Sequence, residues 1–176
     1  MRYLHFVIAG LIVVSPIFAT SQTATYHLHK NASTINTSFD QLLSGGPSAA
    51  ATALAATLTN NAAGEYVVKE FETQTGDPNA AGVIPSGTIL NFSLWMRKTA
   101  NFGTVFPRAK VRLNNASGPL LCTATGATAL TTTVNQQNLS CTTSTNISMA
   151  AGDRFYLWAG VNLTAPSSVS WISKEP

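Results

Sequence analysis

Apolar residues recur at every second position in two stretches that share the frame Phe-x-Leu-Trp, Thr88–Lys98 (TILNFSLWMRK) and Arg154–Leu163 (RFYLWAGVNL). In the first, Leu90, Phe92, Leu94 and Met96 fall on one side, and Asn91, Ser93, Trp95 and Arg97 on the other. In the second, Phe155, Leu157, Ala159, Val161 and Leu163 share a side, opposite Arg154, Tyr156, Trp158 and Asn162. Successive side chains of a strand point to opposite faces of a sheet, so this pattern predicts two half-buried strands, each aliphatic within and aromatic without.

The same reading extends along the chain. Gln22–His29 alternates weakly and predicts a first strand, followed by a turn-rich stretch, Asn31–Pro47, that stops at Gly45-Gly46-Pro47. Ser48–Thr59 is ambiguous: its alanines favour helix, but the Leu54/Leu58 spacing allows either, and strand-like neighbours tip the reading to strand. Glu65–Thr73 is a clearer strand, and Gly76–Gly87, with two prolines and three glycines, a loop. Beyond the loop Thr99–Pro107, Arg108–Asn114 sets Ala109, Val111 and Leu113 inward and Arg108, Lys110 and Arg112 outward. Leu120–Thr125, Leu139–Thr143, Ile147–Met149 and Ser167–Ser173 complete about nine strands. The expected fold is all-β, an antiparallel β-sandwich of jelly-roll type.

Composition supports this and adds a compartment. The 176 residues suffice for one domain with a buried core. Charged residues make up only 10%, against roughly 25% in average soluble proteins, and Thr, Ser, Asn and Ala take their place. Residues 1–21 read as a secretory signal: Arg2, an apolar run Val7–Val14, the breaker Pro16, then small residues. Cleavage after Ala19 and after Ser21 both fit, leaving 22–176 as a single secreted or cell-surface domain with no further span. The formal charge of +3 falls to +2 without Arg2, and there is no basic run, which excludes a nucleic-acid partner.

The chain has two cysteines, Cys122 and Cys141, each in a predicted strand. In an exported protein they are expected to form a disulfide, which could stabilise the fold by roughly 3 kcal/mol.

Catalytic signatures are missing. There is no Gly-x-Ser-x-Gly elbow, and seven scattered acids form no distinctive pair, so an enzyme is not expected. His27 and His29 share a strand face but lack a third His or Cys to complete a zinc or copper set. A structural calcium is conceivable at Asp77 and Asn79 in the glycine-rich loop, with Asp153 approaching from the second Phe-x-Leu-Trp strand. Seven Asn-x-Ser/Thr triplets occur, as polar alternation readily produces.

The outer faces offer more. If the two Phe-x-Leu-Trp strands are neighbours, Trp95, Tyr156 and Trp158 form a platform beside Asn91 and Asn162. If their strand joins the same sheet, Arg108, Lys110 and Arg112 would extend this surface with positive charge suited to an acidic glycan, and Arg97, Arg108 and Arg112 would be polar partners of the ligand. The opposing arrangement covers these rings with a loop such as Thr99–Pro107, whose Phe102 and Phe106 need burial.

The runs GTILNFSLWMRK (Gly87–Lys98) and DRFYLWAGV (Asp153–Val161) resemble strands of carbohydrate-binding modules of the galactose-binding-like jelly-roll class. The layout of 24–172 also resembles β-sandwich segments of long secreted bacterial proteins. The resemblance implies Trp95 and Trp158 as ligand contacts and a calcium near Asp77, although the acids that usually hold that calcium are sparse. The expected function is non-catalytic binding of a glycan or cell-surface polymer. A structural or adhesive module, packing its aromatics against a second copy or another extracellular protein, is the alternative.

Overall fold

The structure, a computed structural model, describes residues 27–32, 40–43, 54–74, 81–99, 103–164 and 167–173. The expected leader, Asp77, Asn79 and Phe102 lie outside these residues. The described chain is all strand and turn: β1 His27–Ala32, β2 Asp40–Leu43, β3 Leu54–Asn61, β4 Gly64–Thr73, β5 Gly82–Ile84 and β6 Ile89–Lys98. There follow β7 Val105–Leu113, β8 Leu120–Thr125, β9 Asn135–Thr142, β10 Ile147–Met149, β11 Phe155–Leu163 and β12 Ser167–Ser173. The short β2 and β5 arise inside stretches whose glycines and prolines read as loop, because pairing partners elsewhere in the chain capture them.

Two sheets face each other. One runs β1-β2-β4-β11-β7-β8, the other β3-β12-β6-β9, and β5 with β10 forms a small ribbon. Among the described residues every pairing is antiparallel except β2 with β4. Between the sheets lies one apolar core. Phe71 of β4, Val105, Ala109 and Val111 of β7, and Leu157, Ala159 and Val161 of β11 meet Leu94 and Met96 of β6 and Leu139 of β9. The period of two produces this directly: in β7 every odd-numbered residue from Val105 to Leu113 is buried and every even one half-exposed. Val105 and Pro107 thus belong to the strand rather than to the loop expected over Thr99–Pro107.

The disulfide joins Cys122 of β8 to Cys141 of β9, with Cα atoms 5.8 Å apart. Each of these strands is the edge of its sheet, so the bond staples the same side of both layers. At one corner Asn114 takes a positive φ of 67°. Its Nδ2 donates to Asp153 Oδ1 at 2.8 Å and its Oδ1 accepts from the Arg154 amide at 3.0 Å. Left-handed backbone is tolerated by Asn because its short side chain bonds locally, and here those bonds clamp the start of β11.

Candidate binding face

The two Phe-x-Leu-Trp strands are not neighbours. β11 is flanked by β4 and β7, and β6 by β12 and β9, so the strands lie in different sheets. Each turns its aliphatic side to the shared core, so their tryptophans point away from each other. The platform expected from Trp95 with Trp158 therefore does not form, and the physical reason is pairing. Both edges of β11 are occupied over eight or nine residues, leaving β6 no edge to join.

The structure divides the expected contacts into two groups. Trp95, Asn91 and Arg97 lie on the outer side of β6, where Asn91 is opposite Ser140, Trp95 opposite Gln136 and Arg97 opposite Ser170. Tyr156, Trp158, Asn162, Arg108 and Arg112 share the outer face of the six-stranded sheet. There the registers set three strands in rows. Glu72, Tyr156 and Arg112 form one row, and Glu70, Trp158 and Lys110 the next. Acids from β4 and bases from β7 thus flank the aromatics of β11.

A half-open pocket of about 230 Å³ opens on these rows, lined by Glu70, Lys110, Arg112, Ala116, Tyr156 and Trp158. Tyr156 forms its floor, only 1% exposed, and its hydroxyl donates to Glu70. Burial, reinforced by that hydrogen bond and the Glu70 charge, pushes the phenol far above its ordinary value, so it stays a neutral donor. Arg112 donates from Nη1 to the Gly118 carbonyl at 2.8 Å, which fixes the guanidinium at the rim.

Trp158 is held from two directions. A Cβ on Gly160 would lie 2.3 Å and 2.5 Å from atoms of its six-membered ring, so the indole leans along β11 over a position only glycine leaves open. Lys110 Nζ sits 4.9 Å from the ring centroid, a cation–π distance. The same ammonium donates to Glu65, which also pairs with Arg108. The Lys110 hydrogen bond, with the charges of Lys110 and Arg108, holds the Glu65 carboxyl below its ordinary value. The indole is thereby held in one place by its neighbours.

Glu65, Glu70 and Gly160 are the contributors that sequence reading missed. Glu70 and Glu72 have one parity and Glu65 the other, and a register shift between Ala159 and Gly160 brings all three to one face. A period-two reading assigns Glu65 to the wrong side.

Asp153 does not extend toward this face. Its Oδ1 accepts from Asn114 and its Oδ2 from the Ala150 amide at 2.8 Å. These bonds, Asn114 first, hold its carboxyl below the ordinary value, and the side chain is the clasp of the corner. Among the described residues no three His, Cys, Asp or Glu side chains gather as a metal set. No protein-family model, curated protein or solved structure matches the chain.

Proposed function

We propose that this chain is a non-catalytic β-sandwich module that works outside the cytoplasm and binds a glycan or cell-surface polymer on the outer face of its six-stranded sheet. The observation that carries the reading is the half-open pocket combining an indole with Lys110, Arg112 and Glu70. A sugar ring offers an apolar face and a rim of hydroxyls, which a flat indole edged by charged donors and an acceptor matches. Trp158 is the stacking surface, the Tyr156–Glu70 pair the floor, and Arg112 and Lys110 the polar contacts; Asn162 and Arg108 extend the face. A preset ring lowers the ordering cost of binding. The resemblance of DRFYLWAGV to carbohydrate-binding strands supports the same reading, and the disulfide fits an oxidising compartment.

Trp95, Asn91 and Arg97 fall outside this site. Retention on a panel of immobilised polysaccharides tests the assignment. Wild type and Trp95→Ala should be retained alike, and Trp158→Ala should pass through. Equal retention of Trp158→Ala, or no retention of the wild type on any polysaccharide, overturns it.

A further inference from the structure

The two large sheets have four edge strands, β1, β8, β3 and β9. An open edge presents unpaired main-chain donors and acceptors, and proteins blunt such edges with bulges, charges or proline. Three of the four carry a register irregularity: β1 against β2, β8 against β7, and β3 against β12. β9 does not. It pairs with β6 through eight consecutive residues without a shift. Its sequence, NQQNLSCT, has neither charge nor proline. Among the described residues β8 of the facing sheet comes near it at the Cys122–Cys141 bond, but no strand is hydrogen-bonded beyond it and no turn or side-chain hydrogen bond reaches its outward main-chain groups.

We propose that β9 is a strand-addition edge whose occupant is β9 of a second copy of this chain, paired antiparallel about a two-fold axis. The chemistry of the strand selects this occupant. An edge satisfied by main-chain hydrogen bonds takes an extended peptide. A charged ligand strand would find no counter-charge on NQQNLSCT, whereas an identical strand meets no repulsion. In a self-pair centred on Asn138, that residue lies opposite its own copy and Gln136 opposite Ser140, all exposed in the single chain. Amide side chains both donate and accept, so such rows are self-complementary. The two four-stranded sheets become one eight-stranded sheet, and the symmetric interface closes on itself rather than growing into a fibre. The stapling of β9 to β8 by Cys141–Cys122 keeps this edge in place for docking. The proposal does not rest on the sugar-binding reading, whose pocket lies on the other sheet.

Sedimentation velocity of the full chain over a hundredfold concentration range is the test, with amide hydrogen exchange alongside. The wild type should sediment as a dimer, with β9 amides protected more strongly as concentration rises. The double variant Gln136→Lys/Asn138→Lys, which places like charges across the two-fold, should weaken dimerisation by at least about tenfold. Its thermal melt at low concentration should match that of the wild type, separating lost pairing from lost folding. A wild type that stays monomeric overturns the proposal, as does a lysine variant that dimerises equally well. Concentration-independent protection of β9 in a monomer would show the chain covering its own edge, and would also overturn it.

Discussion

The outer faces of the two sheets are built around the same four-residue phrase and differ in nearly every other respect. On the six-stranded sheet, Trp158 sits between a strand of acids and a strand of bases, and its neighbours fix it by ion pair, cation–π contact and close packing on Gly160. On the four-stranded sheet, Trp95 faces Gln136, in rows that continue with Ser93 opposite Asn138 and Asn91 opposite Ser140. Ser93 donates to Asn138 Oδ1 at 3.0 Å, a neutral pair where the other sheet has charged ones. One face is an electrostatically ordered pocket; the other carries rows of neutral amides and hydroxyls between β6 and β9 and ends in an open edge. The difference shows that a strand's own sequence sets which side is buried, while the adjoining strands set what the exposed side can do.

Three measurements press on this contrast, beginning with the covalent link between the two sheets. Replacing both cysteines, Cys122→Ala with Cys141→Ala, should cost roughly 3 kcal/mol in denaturant unfolding, given the 19-residue separation the bond closes. A change within error would mean that the shared core alone holds the two faces together.

Gly160→Ala strikes the charged face specifically. The new methyl would lie 2.4 Å from the Tyr66 carbonyl oxygen, a main-chain atom, as well as against the indole. Overpacking of this kind should cost about 2 kcal/mol and displace Trp158, read as a shift in tryptophan fluorescence and a lowered melting temperature. An unchanged emission spectrum and melt would show that the indole is not seated over Gly160.

The smallest effect is a pH dependence confined to one side. The folded-state pKa of Glu65 lies below its ordinary value, so the stability it adds is present above the ordinary glutamate range and fades as pH falls through the folded value. The pair is partly exposed, so the loss between neutral pH and acid should be about half a kcal/mol, smaller still in high salt. Glu65→Gln should flatten that part of the acid limb; a curve identical to wild type would show that the ion pair contributes nothing. The facing rows of Asn, Ser and Gln on the other sheet hold no group that titrates in this range.

Much of the architecture was legible in the chain. Leu94 and Met96, Leu157 and Ala159, and Val111 and Leu113 were assigned inward by alternation, and all are in the core. The cysteine pair and the outward Arg108, Lys110 and Arg112 were equally readable. The site was legible only in part. Tyr156, Trp158 and Arg112 do line one pocket, but Glu65 was hidden by the parity change across a bulge, and Trp95 was placed beside a strand it never meets.

By itself the sequence determined most of the strands, the buried sides of the central ones and the cysteine bridge, because each follows from local periodicity or from the only two thiols available; β2 and β5, which lack that periodicity, it did not. The tertiary structure alone decided which strands became neighbours, since a strand's two edges can accept many partners of similar pattern and only simultaneous closure of the whole core selects among them. That choice set Trp158 among charges and Trp95 among amides, and it left β9 with an open side.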